Sequence, residues 1–172
     1  MEIRALRLSD DRTQFRSGDP LLDAFFQRFA GQNQFRHHIG VTYVAEEKGR
    51  ILGFVTVAPG EIEIERLPAS ARKALPRYPI PVLRLGRLAI DASIQGQGLG
   101  SQLLRFVFGL ALQLSAQYGC TGVLVDAKSD AISFYEKYGF AALDLLEGRS
   151  DARPRTQPLF LSVAEIQRAG RK

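Results

Sequence analysis

The chain has 172 residues, 45% of them hydrophobic, and a formal net charge of +5, which suits one domain over residues 1–172 with a sizeable core and leaves too little chain for two. No charged-then-apolar leader follows Met1 and no unbroken apolar run reaches the roughly 18 residues of a membrane span, so no secretory signal and no membrane are expected and the reading is cytoplasmic. A single cysteine, Cys120, excludes an internal disulfide, and with only His37 and His38 beside it no Cys/His metal site is expected; Cys120 reads as a core thiol at a strand start.

Glu2 to Leu8 alternates as an opening strand. Asp19 and Pro20 suit an N-cap and first helical position, and Leu21, Leu22, Phe25, Phe26 and Phe29 follow at helical spacing, predicting a helix to about Phe35 whose phenylalanines face the core. Val41–Glu46 and Ile51–Ala58 form a hairpin around Glu47-Lys48-Gly49-Arg50, and Glu61–Glu65 continues its second strand after a break at Pro59-Gly60. Leu67–Leu75 predicts a short helix opened by Pro68; Pro76, Pro79 and Pro81 then hold the chain extended before a strand over Val82–Ile90. The longest helix is expected over Leu99–Tyr118, with Leu99, Leu103, Leu104, Val107, Phe108, Leu110, Ala111 and Leu114 on a broad apolar face and Gly119 ending it. A strand over Thr121–Val125, a helix over Ser129–Tyr138 capped by Ser129 or Asp130 and closed by Gly139, and strands over Phe140–Leu143 and Pro158–Val163 complete an α/β pattern. The polar stretch Glu147–Gln157 reads as a mobile loop.

Between the strand ending at Ile90 and the helix opening at Leu99 lies Gln95-Gly96-Gln97-Gly98-Leu99-Gly100, followed by Ser101. Glycines there leave no β-carbon to obstruct a ligand, so backbone N–H groups and the positive helix end can face an anion. A nucleotide P-loop closes in Gly-Lys-Ser/Thr, and no lysine follows here. A dinucleotide fingerprint wants Gly or Ala where Ser101 stands. Upstream, Arg66 to Arg87 holds six basic residues and no Asp or Glu, and Arg149 to the end holds six more against Asp151 and Glu165. Such clusters are solvated faces or an approach for an anionic substrate.

Gln95, Gly98 and Gly100 make a Gln-x-x-Gly-x-Gly pattern that resembles the pyrophosphate loop of the Gcn5-related (GNAT) N-acetyltransferases. One helix and one strand later, Ala131-Ile132-Ser133-Phe134-Tyr135-Glu136-Lys137-Tyr138-Gly139-Phe140 resembles the A-x-x-F-Y-x-x-x-G-F segment of the same family. The resemblance implies the GNAT acyl-CoA N-acyltransferase fold, an α/β arrangement with a mixed central sheet flanked by helices and splayed fourth and fifth strands. It implies acetyl-CoA as the acetyl donor, without a metal. The donor would be contacted by Leu88, Ala89 and Ile90 on the fourth strand, by Gln95, Gly96, Gln97, Gly98, Leu99, Gly100 and Ser101 in the loop, and by Phe134. Two positions depart from the family pattern: Lys128 stands where many members carry asparagine, and Gln97 where a basic residue is common.

Tyr135 has the chemistry of a general acid, because a phenol of pKa about 10 can protonate the thiolate expelled when an amine attacks a thioester. The alternative for Tyr135 is a packed helix tyrosine, and Tyr138 reads as structural. A backbone N–H near Leu88 would meet the oxyanion. A lysine-like amine, with pKa about 10.4, needs a base, which many acetyltransferases place on or near the fourth strand as a glutamate. This strand carries Arg84 and Arg87 instead, leaving Glu61, Glu63 and Glu65 either as water-linked bases or as an exposed strand face. An α-amino group, near pKa 7.7–8.0, needs no strong base, so a basic approach without a base suits an amine attached to a polyanion.

That combination is similar to the GNAT toxins of bacterial toxin–antitoxin pairs, which acetylate the amino acid on charged tRNA and stop translation. Gly18 with Leu21–Phe26, Gln32-Asn33-Gln34, Arg77-Tyr78-Pro79-Ile80-Pro81 and Leu85–Asp91 carry the same likeness. It implies aminoacyl-tRNA as substrate, contacted by Arg77, Arg84 and Arg87, a ribbon-helix-helix antitoxin as partner, and a homodimer. The alternative for Arg84 and Arg87 is pairing with the Glu61–Glu65 strand. Competing readings of the whole chain are a GNAT acetyltransferase for a small-molecule amine or protein N-terminus, and a non-catalytic acyl-CoA-binding or DNA-regulatory module.

Overall fold

The computed structural model describes residues 1–67, 69–73, 75–143 and 156–171; the predicted loop Glu147–Gln157 falls outside them except for its last two residues. Strands hydrogen-bond in the order β1-β2-β3-β4-β5-β7-β6, and the chain divides into two compact units, Met1–Ala58 with Leu85–Gly109, and Pro59–Arg84 with Leu110–Lys172.

In the first unit, β1 (Glu2–Ala5) pairs antiparallel with β2 (Val41–Glu47), Ile3 opposite Ala45. The strand ends short of Leu8, because Asp10 N–H turns back onto the Arg7 carbonyl at 3.1 Å. β2 turns into β3 (Arg50–Ile62) through Lys48 and Gly49, whose φ angles of 51° and 80° are the left-handed pair that a tight hairpin requires. β3 runs on through Pro59-Gly60, where the sequence predicts a break. The β2 register ends at Val41 opposite Val57, so the proline lies beyond the paired stretch on that edge, where a strand tolerates it.

Asp19 caps α1 (Pro20–Ala24) as expected, its carboxylate accepting the N–H groups of Leu21 and Leu22 at 2.9 and 3.3 Å. The predicted regular helix is then interrupted by a wide π turn, Phe25–Phe29, before α2 (Ala30–Phe35). Ala30 N–H reaches past Phe26 to the Phe25 carbonyl, and the freed Phe26 carbonyl accepts Arg12 Nη1 at 3.0 Å. Gly31 leaves room for that guanidinium, since a β-carbon there would stand 3.0 Å from Arg12 Nη2. Phe25 and Phe26 enter the core with Phe15, Phe54, Leu6, Val44, Ile51 and Ala89, Phe26 stacking on Phe54 at 4.4 Å with Phe15 edge-on to both. The phenylalanine stripe is core only in part: Phe29 is 48% and Leu21 78% exposed.

β4 (Ile80–Ile90) ends in this unit. Gly53 lets it close on β3, because a β-carbon there would meet the Ala89 carbonyl and the side chains of Ile90 and Leu103 near 3 Å. α4 (Leu99–Gln117) begins within the glycine motif, Leu99 and Gly100 being its first two residues. By length and composition it could cross a membrane, a possibility that counting unbroken apolar runs missed. Its Leu103, Leu104, Val107 and Ala111 are fully buried, which accounts for its apolar face as core. Gly119, at φ 97°, ends the helix with its N–H on the Leu114 carbonyl.

The second unit holds a 3₁₀ turn at Ile64–Arg66 in place of the predicted strand through Glu65, then α3 (Ala69–Arg72), shorter than predicted, with Pro68 outside the described residues. β5 (Gly122–Ala127) runs parallel to β4 and just before it Thr121 N–H donates to the Pro81 carbonyl at 2.8 Å. α5 (Ile132–Glu136) is much shorter than the predicted Ser129–Tyr138: Ala131 N–H closes a turn onto the Lys128 carbonyl, and Ala131, not Ser129 or Asp130, occupies the cap. β6 (Ala141–Ala142) pairs with β7 (Gln157–Ser162), which pairs antiparallel with β5. α6 (Val163–Gly170) was not predicted; Ser162 Oγ accepts Glu165 N–H at 3.1 Å, and the Ser-x-x-Glu spacing is a start signal present in the sequence. Ile62, Ile64, Leu67, Ile80, Val82, Leu124, Leu143 and Phe160 form this unit's core. Cys120 is a buried thiol as expected, donating to the Gly122 carbonyl at 3.3 Å, and burial pushes its pKa up.

Candidate active site

The glycine loop lies wholly in the first unit, with Gln95, Gly96, Gln97 and Gly98 exposed. Gly96 and Gly98 have φ angles of 79° and 86°, and a β-carbon built on either would meet nothing within 4 Å. Both positions therefore need glycine for their backbone, and both leave open space on the loop's outer side. That open cradle at the start of a 19-residue helix fits a pyrophosphate held by backbone N–H groups.

Gln95 sets the loop in place. Its Nε2 donates to the Ile90 carbonyl at 2.9 Å and to the Ser17 carbonyl at 2.7 Å, tying the end of β4 and the segment before α1 to the loop. Asp91 is the second fastening and is only 5% exposed. It accepts Ser93 Oγ at 2.6 Å, Ser93 N–H at 3.1 Å, Arg16 N–H at 3.2 Å and Arg50 Nη2 at 3.0 Å. Burial alone would raise its pKa, but these hydrogen bonds and the Arg50 charge outweigh it and hold the carboxyl below its ordinary value. Ser17 is held in turn by Asp23, which accepts its N–H and hydroxyl at 2.9 and 2.6 Å. Sequence reading names Asp91 and Asp23 only within segments that carry the family likeness, gives neither an anchoring role, and passes over Ser17; the Asp91-x-Ser93 spacing is the signal that could have found the turn.

Leu88, Ala89 and Ile90 end β4 beside this loop, with Ala89 buried and its two neighbours half-buried. One residue earlier, the Arg87 guanidinium lies 3.7 Å from the centroid of the Phe25 ring. Desolvation lowers its pKa from the ordinary arginine value, and guanidinium groups stay charged despite such shifts.

The second unit carries the other predicted residues. Tyr135 sits on α5 and is 5% exposed, with Phe134 edge-on at 5.0 Å and Phe140 at 5.4 Å. Burial pushes its phenol up to about 12, so it is neutral and protonated throughout the physiological range. Tyr138 packs edge-on against Phe134 at 5.6 Å. Arg84 Nη2 is paired with Asp126 at 2.7 Å, so neither Arg84 nor Arg87 takes the alternative partner in the Glu61–Glu65 segment. Arg77 is exposed and lines a cavity of about 530 Å³ with Ile64, Glu65, Arg72, Lys73 and Leu75. Glu61, Glu63 and Glu65 are all exposed. Among the described residues no cluster of His, Cys, Asp or Glu could hold a metal ion.

The model of the acetyltransferase (GNAT) domain matches residues 38–142, which include both the loop and the Tyr135 segment. The chain belongs to the GNAT acetyltransferase family. Within that family it is 36% identical over 138 residues to a tRNA-acetylating toxin of Mycobacterium tuberculosis, covering 80% of this chain and 82% of that one. AtaT complexed with acetyl-methionyl-tRNAfMet superposes with a TM-score of 0.84 at 28% identity, over 98% of each chain. A tyrosine-to-phenylalanine mutant of the AtaT toxin, bound to the C-terminus of the antitoxin AtaR and acetyl-CoA, superposes with a TM-score of 0.78 at 25% identity, over 99% of this chain and 98% of that one. This GNAT chain is thus homologous to tRNA-acetylating toxins.

Proposed function

We propose that the chain acts as one domain, a toxin that transfers acetyl from acetyl-CoA to the α-amino group of an aminoacyl-tRNA and so blocks translation in the cytoplasm. The observation that carries the donor half is the loop at Gln95–Gly100, pinned by Gln95 and open where Gly96 and Gly98 lack β-carbons. Kinship with a tRNA-acetylating toxin and with AtaT supports the acceptor half. The pyrophosphate is held by the loop and by Ser101, the pantetheine arm by the backbone of Leu88, Ala89 and Ile90, and Phe134 supplies a further contact.

In the reaction the amine nitrogen attacks the thioester carbonyl, a C–N bond forms, and the C–S bond breaks with the electron pair leaving on sulfur. Tyr135 gives its proton to that thiolate, the nitrogen loses one to solvent, and solvent returns a proton to the Tyr135 phenolate, which restores the enzyme. A phenol held near pKa 12 carries its proton throughout the physiological range, and the same burial makes it a weaker acid, so it donates only once full negative charge has developed on the sulfur. Arg77, Arg84 and Arg87 contact the anionic acceptor, and a small antitoxin silences the enzyme, as AtaR binds AtaT.

Expression in a bacterium tests this reading, wild type beside Tyr135→Phe. Growth arrest with wild type alone, with acetyl groups on its charged tRNA, is the expected result. Normal growth from folded protein that binds acetyl-CoA overturns it.

A further inference from the structure

The three arginines assigned to the acceptor have different electrostatic situations. Arg84 is neutralised by Asp126 at 2.7 Å. Arg77 shares its cavity with Arg72, Lys73 and Glu65. Arg87 has the Phe25 ring at 3.7 Å, and among the described residues no carboxylate pairs with it. A guanidinium over a ring face keeps its charge and does not use its N–H donors on the ring, which leaves them for a phosphate, a partner that arginine binds through two parallel hydrogen bonds.

The ring is itself held rigidly. Phe25 is 7% exposed, packed in the core with Phe54 and Phe26. It opens the π turn whose shape depends on Arg12 and Ala30, and the helix before it is fastened through Asp23, Ser17 and Gln95 to the glycine loop. The same unit thus carries the donor loop and, by a continuous chain of contacts, the orientation of the Arg87 guanidinium on β4.

Resting on the proposed tRNA reading, we infer that Phe25 is a positioning residue for the acceptor: it fixes the Arg87 guanidinium so that Arg87 reads a phosphate of the acceptor strand. The π turn is what sets that ring beneath the arginine, and π turns recur at functional sites.

The test compares two acceptors, an aminoacyl-tRNA and the methyl ester of the same amino acid, which has the α-amino group and no phosphate. Phe25→Leu keeps an apolar side chain in the core and removes the ring; Phe25→Tyr keeps the ring. Phe25→Leu should raise KM for aminoacyl-tRNA roughly three- to tenfold, with kcat within about twofold, and lower the tRNA-to-ester ratio of kcat/KM by the same factor. Phe25→Tyr should restore the ratio, and Phe25→Leu should add little to Arg87→Gln. Equal losses on both acceptors in Phe25→Leu, or effects of Phe25→Leu and Arg87→Gln that multiply, overturn the inference. Wild type that acetylates the ester and not the tRNA overturns the functional reading beneath it, an outcome seen before any variant is measured.

Discussion

Gln95 and Ser17 are joined across 78 residues of sequence by a 2.7 Å hydrogen bond, and the same side-chain amide also reaches the Ile90 carbonyl at 2.9 Å. One side chain thus anchors the loop to both the strand before it and the N-terminal segment. Gln95→Glu replaces the donor with a carboxylate facing two carbonyl oxygens and places a negative charge beside an anion site. Acetyl-CoA affinity, measured by titration calorimetry, should fall about tenfold or more, as expected for losing two hydrogen bonds of roughly 1 kcal/mol each. An unchanged Kd would mean that the loop holds its shape without Gln95.

Gly98 and Gly119 make a matched pair: both have left-handed φ, 86° and 97°, and both have open space where a β-carbon would go. Alanine at either should cost about 1 kcal/mol of stability through backbone strain. Only Gly98→Ala should also abolish acetyl-CoA binding, because only there does the new methyl fill the cradle. Parallel thermal melts and binding isotherms of the two variants separate strain from ligand exclusion.

These two predictions rest on features the sequence shows openly. A glycine loop between an apolar strand and a helix is a backbone requirement written in residue type, and so are the Asp19-Pro20 cap and the Gly119 helix end. The π turn was not legible because it depends on Arg12 meeting the Phe26 carbonyl, a contact that no local periodicity reports. The Arg87–Phe25 stack joins a strand to a helix far apart in sequence, and only the folded chain pairs them. Pro59-Gly60 misled for a related reason: both residues break isolated strands, yet the β2 edge is already open there. The cap of α6 was readable at Ser162 and Glu165 and was overlooked.

Tyr135 makes a prediction in pH. Its folded-state pKa of about 12 lies above the ordinary value of 10, so burial of the neutral phenol stabilises the fold fully below about pH 10, and that stability is lost as pH rises toward 12. The loss approaches roughly 3 kcal/mol, from about 1.4 kcal/mol per pH unit. Tyr135→Phe should flatten this alkaline limb in denaturant titrations from pH 8 to 11. Wild-type kcat should show no alkaline fall below about pH 10 from deprotonation of the acid; a fall near pH 8 would assign the proton to another group.

Asp126 restrains Arg84 through a partly exposed ion pair worth about 1 kcal/mol or less. Asp126→Asn should therefore change stability little and release the arginine for an anionic acceptor. Affinity for tRNA should rise severalfold at low salt and converge with wild type at high salt. Unchanged binding at every ionic strength would remove Arg84 from the acceptor contacts.

The most direct test of the central claim is transfer of labelled acetyl from acetyl-CoA to purified aminoacyl-tRNA, followed by nuclease release of the terminal aminoacyl-adenosine and mass analysis. Wild type should produce N-acetyl-aminoacyl-adenosine, and Tyr135→Phe, with unchanged acetyl-CoA affinity, should be slower by at least about a hundredfold, the scale of general-acid catalysis. Label that stays off the tRNA while free small amines are acetylated, or a Tyr135→Phe rate equal to wild type, would contradict the account.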